Sequence, residues 1–170
     1  MHSFLSIDLG LKHLGYAIIR YDKEGIKRFE DLTLSFGLLD ISRCKTVVER
    51  CEVINRFISS ERWDCVIIER QVHSNIRMME LMYACVSVCV CLQVNVQLFD
   101  PKMKFTRKNV EYTTRNKQHK KLSINIFREI LQQHYSNELL QRFDNETKKD
   151  DIADAANQAI TYLLNVNELN

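Results

Sequence analysis

Apolar and polar positions alternate over short distances in the first forty residues and recur at three- and four-residue steps afterwards. Residues 3–8 read as a strand, "GYAIIRYD" (15–22) as a second, and "LTLSFGLLDI" (32–41) as a third, with a turn over Lys23, Glu24 and Gly25. Connections this short predict an antiparallel meander. In "CKTVVERCEVINRFISSERW" (44–63), Val47, Val48, Cys51, Ile54, Phe57 and Ile58 share one face of an amphipathic helix. "DCVIIE" (64–69) is a short apolar run ending in an acid, as a buried strand would be. "IRMMELMYACVSVCVCLQ" (76–93) is long enough for a helix but apolar nearly all round, so it should be buried on more than one side. "VNVQLFD" (94–100) is a further strand, stopped by Pro101. "KKLSINIFREILQQHY" (120–135) gathers Leu122, Ile126, Phe127, Ile130 and Leu131 on one helical face, and "DDIADAANQAITYLLN" (150–165) is an alanine-rich last helix opened by aspartates. The order β-β-β-α-β-α-β-α-α predicts an α/β fold: a mixed five-stranded sheet flanked by helices.

Composition adds few surprises. At 45% hydrophobic and 27% charged, the chain reads as one globular domain over residues 1–170, and one proline with four glycines leaves no room for long linkers. No apolar run reaches the roughly 18 residues that cross a bilayer, so no membrane contact is expected. Met1-His2-Ser3 has neither a basic lead nor a signal-type apolar stretch, and the expectation is a cytoplasmic protein. Cys44, Cys51, Cys65, Cys85, Cys89 and Cys91 form no CxxC pair and several lie in apolar runs. They are expected to be reduced, mostly core thiols, not a disulfide frame or a zinc site.

Net charge is only +2, but it is unevenly spread. Residues 101–121 hold Lys102, Lys104, Arg107, Lys108, Arg115, Lys117, Lys120 and Lys121 against one acid, Glu111, so this segment carries +7 and the remainder −5. Such a stretch is either a solvated loop or a polyanion contact. Phe105 and Tyr112 lie within it; they could stack on unpaired bases or pack the loop.

Four acids stand where a buried chain can least accommodate them. Asp8 and Glu69 end apolar strands, and Asp151 and Asp154 open the last helix one turn apart on one face. If the strands of Asp8 and Glu69 are parallel neighbours, both carboxylates end side by side at the sheet edge where α/β sites form. Repulsion and burial would then push some of these groups toward protonation unless a hard cation neutralised them. Magnesium accepts carboxylate oxygens alongside phosphate. A pair of ions about 4 Å apart can activate a water and stabilise the leaving oxygen of a phosphodiester. Taken singly, each acid has a plainer explanation: Asp150 or Asp151 could cap the helix, Glu69 could be an exposed strand end, and Asp8 could begin a turn with Gly10.

As a set in this order, the acids resemble the RuvC-like branch of the RNase H-like nucleases, the Holliday junction resolvases. "SIDLG" matches that family's Asp-x-Gly on the first strand, "VIIERQ" its glutamate closing the fourth strand, and "DIADAANQAI" (151–160) its Asp-x-x-Asp-Ala opening the last helix. The short, cysteine-rich and glycine-poor chain looks most like the poxvirus members, which resolve concatemeric viral genomes, and this places it in the cytoplasm of infected cells. The resemblance implies Asp8, Glu69, Asp151 and Asp154 as ligands of two Mg2+ ions, with Mn2+ able to substitute. The Asp-x-x-Asp-Ala spacing selects Asp151 over Asp150, which is the alternative if the register slips by one. A catalytic lysine before the last helix falls on Lys120, with Lys121 its rival. The implied substrate is branched DNA, four-way junctions above all, held by Lys102, Lys104, Arg107, Lys108, Arg115, Lys117 and Lys121, and cut by symmetric paired nicks. A homodimer is implied, with helix 76–93 as its interface through Met78, Met79, Met82, Cys85 and Cys89. The aromatic that bacterial members carry three residues past the glutamate is here Val72, with His73 beside it.

Three other readings remain open. Actin-like ATPases also begin with a strand, an Asp and a Gly, but need a second domain for which 170 residues leave no room. A related nuclease could act on flaps or RNA–DNA hybrids. A non-catalytic branched-DNA binder would have no need of the acid set.

Overall fold

The computed structural model describes residues 1–22, 28–72, 74–101, 103 and 116–165, with the side chains of residues 116 and 117 excepted. Its strands are β1 (His2–Asp8), β2 (His13–Tyr21), β3 (Thr33–Asp40), β4 (Cys65–Glu69) and β5 (Val96–Phe99). Its helices are α1 (Val47–Ile58), α2 (Ile76–Cys91), α3 (Asn116–His134), α4 (Asn137–Asn145) and α5 (Lys149–Asn165). One five-stranded sheet runs in the order β3-β2-β1-β4-β5. β1 to β3 pair antiparallel as the expected meander, and β4 and β5 join parallel to β1.

Strand alternation sorts the side chains into two cores. Leu5, Ile7, Leu14, Ile18, Val66 and Ile68 face one side, where Ile54 and Ile58 of α1 and Met78, Met82, Cys85 and Cys89 of α2 cover them. Phe4, Ala17, Ile19, Phe36, Cys65 and Ile67 face the other side, against Phe127 and Leu131 of α3, Phe143 of α4 and the small residues of α5. α1 opens with a reciprocal cap between Thr46 and Glu49. α2 opens on Asn75, whose side chain accepts from the Met78 N–H.

α5 has apolar or small residues on almost every face: Ile152, Ala153, Ala155, Ala156, Ala159, Ile160 and Leu163 are all buried. Alanine lets the helix lie close to the sheet beneath α3 and α4. Glycine does the same from below. A Cβ on Gly15 of β2 would stand 2.2 Å from the Asp151 carbonyl oxygen and 3.0 Å from the Ile152 nitrogen, so only glycine admits the first turn of α5 there.

Two expectations are corrected. Residues 137–145 form a helix that the chain pattern did not signal, because its core contribution is a single buried ring, Phe143, with Leu139 and Leu140 half-buried. Ser136 caps it by accepting from the Leu139 N–H. The interface proposed for α2 is also on the wrong side of the helix. Met78, Met82, Cys85 and Cys89 point into the core against the sheet, and Met79 is half-buried. The outward residues are Ile76, Tyr83, Val90 and Cys91, beside a groove of about 770 Å³ between α1 and α2 lined by Val47, Cys51, Tyr83 and Val88. All six cysteines are free thiols, with Cys65, Cys85 and Cys89 buried, Cys44 and Cys51 half-buried and Cys91 exposed. Burial pushes the Cys89 thiol up to about 11, consistent with an inert packing role.

Gly15→Ala should force α5 off β2 and lower the free energy of unfolding by about 1–3 kcal/mol. Denaturant unfolding followed by far-UV circular dichroism measures this, and an unchanged midpoint would show that the close approach is not needed.

Candidate active site

β1 and β4 are parallel and adjacent, with Ile7 opposite Ile68, so the next residues, Asp8 and Glu69, end their strands side by side. Both share the alternation of Phe4, Cys65 and Ile67, which puts their side chains on the α5 face of the sheet. Asp8 is only 8% exposed. Its cross-strand partner is Gly15, the residue on which the Asp151 carbonyl rests. The sheet register and the glycine contact thus bring Asp8 and the start of α5 together at the carboxyl end of β1 and β4.

Gln158 fixes how α5 lies. Its side chain is fully buried and its Nε2 donates to Ser6 Oγ at 3.1 Å, the Ile67 carbonyl at 3.2 Å and the Ile7 carbonyl at 3.3 Å. These acceptors straddle β1 and β4 just before the two acids. Asp154 and Asp151 lie four and seven residues upstream of Gln158, on the same helical face. Docking Gln158 therefore turns both aspartates toward the sheet.

Asp154, Glu69 and Asp150 each have a side-chain partner. Ser123 Oγ donates to Asp154 Oδ1 at 2.5 Å. Gln71 Nε2 donates to Glu69 Oε2 at 3.4 Å. Lys120 of α3 bonds Asp150, not the Asp151 that the sequence pattern selects. Burial acts to raise the Asp150 carboxyl, but the Lys120 ammonium outweighs it and holds the group below the usual carboxylate range. The hydrogen bond to Asp150, with the added charges of Asp151 and Asp154, raises Lys120 in turn. Asp151 is raised by burial first and by the charge of Asp150 next.

Asp8, Glu69, Asp151, Asp154 and Lys120 are thus delivered to one end of one sheet face by four separate elements of chain, β1, β4, α5 and α3. Among the described residues, however, no three His, Cys, Asp or Glu side chains close into a ready metal cage. The donor set is carboxylate oxygen throughout, which fits a hard divalent cation in kind. Sequence reading passed over Ser123, Asn157 and Gln158, which are polar yet buried. The signal was present for the last two: they follow the aspartates in a helix otherwise built of alanine and aliphatic residues.

Of the expected DNA contacts, Lys102, Lys104, Arg107, Lys108 and Arg115 lie outside the described residues, as do Phe105, Tyr112 and His73. The side chain of Lys117 does too, while Lys121 is exposed on the first turns of α3. Val72 is 62% exposed just past the end of β4.

The profile of the family described as "Poxvirus A22 protein" matches residues 2–166. No significant match was found among curated proteins. Among solved structures, the fowlpox virus resolvase in complex with Holliday junction DNA is similar at a TM-score of 0.74 and 22% identity, over 96% of this chain and 98% of that one. Thermus thermophilus RuvC is similar at 0.61 and 13%, over 98% and 97%. The yeast mitochondrial Holliday junction resolvase is similar at 0.64 and 15%, over 94% and 78%. At these identities the likeness speaks for the fold, and the expected RNase H-like, RuvC-like architecture is the one found.

Asp151→Asn should stabilise the protein in chelator at neutral pH, because it removes a half-buried charge that the fold disfavours. A raised carboxyl lends stability while protonated and loses it as pH rises through its folded pKa. The variant's advantage, roughly 2–4 °C in Tm, should therefore shrink as pH falls. Calorimetric melting across pH in EDTA checks it; a variant less stable than wild type at neutral pH would contradict the burial argument.

Proposed function

The chain belongs to the Poxvirus A22 protein family, and from that premise we propose that it is a Holliday junction resolvase: a divalent-cation-dependent endonuclease that nicks four-way and other branched DNA. The observation that carries this reading is the side-by-side ending of Asp8 and Glu69 on the face where α5 presents Asp151 and Asp154. Acids from three elements, β1, β4 and α5, converge on one end of one sheet face. That arrangement is costly for a purely structural purpose and suited to binding Mg2+ or Mn2+ beside phosphate.

In this reading Asp8, Glu69, Asp151 and Asp154 hold two Mg2+ ions. The chemistry supplied there on binding is activation of a water and neutralisation of the leaving oxygen of a phosphodiester. Gln158 and Gly15 keep α5 at the distance from the sheet that these ligands require. Lys120, tethered by Asp150 at the site's edge, offers a point charge to a phosphate oxygen of the strand being cut. The basic segment 102–121 binds the arms through phosphates, so affinity is independent of sequence and falls with salt. The solved fowlpox complex, whose DNA is a Holliday junction, supports a junction over a hybrid or flap as substrate.

A four-way junction is two-fold symmetric, and paired cuts call for two sites in fixed relation. The dimer is proposed through the outer faces of α1 and α2, where Val47, Val48, Tyr83 and Val90 are exposed around the apolar groove. The biological role that follows is resolution of concatemeric viral genomes in the infected-cell cytoplasm.

Asp8→Asn should reduce junction cleavage in Mg2+ by at least about 1,000-fold, the scale of losing an essential electrostatic group, while junction binding in Ca2+ stays within a few-fold. A panel of junction, flap, RNA–DNA hybrid and linear duplex identifies the substrate, and cleavage of the hybrid in preference to the junction would overturn the assignment. Light scattering should give twice the 20.1 kDa chain mass. Tyr83→Glu with Val90→Glu should yield a monomer that no longer pairs its nicks; a wild-type monomer at micromolar concentration would refute the interface.

A further inference from the structure

Ser123 lies on α3, between the lysine pair and the apolar face of the helix, and is completely buried. A serine inside a helix usually returns its hydroxyl to a carbonyl of its own preceding turn. Here the hydroxyl crosses to α5 and meets Asp154 Oδ1 at 2.5 Å, within the short range of charge-assisted O–H···O⁻ bonds. Asn157, one turn beyond Asp154 on the same face of α5, answers it. Its Nδ2 lies 2.9 Å from Ser123 Oγ and 3.0 Å from the Ser123 carbonyl oxygen.

The direction of each bond is determined by chemistry. The Ser123 carbonyl can only accept, so the Asn157 atom facing it must be the amide nitrogen. That nitrogen can only donate, so the Ser123 hydroxyl accepts from it. A hydroxyl carries one proton. With its lone pair given to Asn157, Ser123 has that proton committed to Asp154. Reversing the amide would bring two oxygens together and leave Ser123 with no fixed donor at all. Asn157 is itself 2% exposed, so water does not compete for the arrangement.

We infer that Ser123, keyed by Asn157, is a positioning residue for Asp154: the relay holds one carboxylate oxygen and so fixes the plane in which Asp154 can meet a divalent cation. The inference rests on the proposed reading of Asp154 as a metal ligand. It assigns to the α3–α5 contact a role in cation affinity that packing alone would not confer. Asn157 acts one bond further back, through the serine.

The test is Mn2+ binding to the full-length protein without DNA, measured by electron paramagnetic resonance of the free ion, with melting in EDTA as a control for folding. Ser123→Ala should weaken Mn2+ about 10-fold, the usual scale for removing a hydrogen-bond partner of a metal ligand. Asn157→Leu, which frees the serine to turn away, should weaken it in the same direction. Asp154→Asn should weaken it at least as much, and adding Ser123→Ala to it should cost nothing further, because the relay would then have no carboxylate to orient. Unchanged binding in both Ser123→Ala and Asn157→Leu, or additive losses in the double variant, would overturn the inference while leaving the site intact. Unchanged binding in Asp154→Asn would instead remove the metal-site reading itself.

Discussion

The seating of α5 on the sheet is the constraint on which the remainder depends. Two polar or minimal residues determine it. Gly15 lets the helix backbone descend onto β2. Gln158 bonds the β1 and β4 carbonyls and Ser6 from within the core. A buried amide that loses such partners costs about 1–3 kcal/mol, and an apolar residue could not discriminate one axial position of the helix from another. Because α5 carries two of the acids and both β1 and β4 carry one each, a shift of the helix by one residue would turn the aspartates away from the strand ends.

Around that seat the acids are kept distinct by their surroundings. Asp150 is stabilised as a carboxylate by Lys120, while its neighbour Asp151 is pushed the other way by burial and by Asp150 itself. Asp154 is tied to α3 through Ser123. Consecutive residues of one helix turn thus have opposite electrostatic roles, set by which neighbour each one faces. A tethered lysine beside oxygen donors suits chemistry on a phosphate, where positioning and charge stabilisation carry most of the work.

The two faces of the sheet divide the labour. α3, α4 and α5 build and brace the acidic end. α1 and α2 cover the opposite face and leave an apolar groove and exposed Tyr83 and Val90 outside. The acids and the proposed self-association surface thus lie on opposite faces of the sheet.

The chain pattern determined much of this. The period-two and three- to four-residue repeats located all five strands and four of the five helices, because those elements carry apolar residues in repeats long enough to read. α4 escaped because its apolar face, Leu139, Leu140 and Phe143, spans only nine residues, too short a run to tell from a loop. The acids were legible because Asp8 and Glu69 interrupt apolar strands, and Asp151 and Asp154 stand three apart at a helix start. Tertiary structure alone decided that Lys120 pairs with Asp150, that Met78, Met82, Cys85 and Cys89 of α2 turn inward, that Asn157 meets Ser123 across 34 residues of chain, and that Gln158 meets Ser6 across 152. Local sequence records which side chains a segment must bury. It does not record which distant donor will meet which acceptor, since that depends on the axial and rotational setting of α5 against the sheet, which only the packed core fixes.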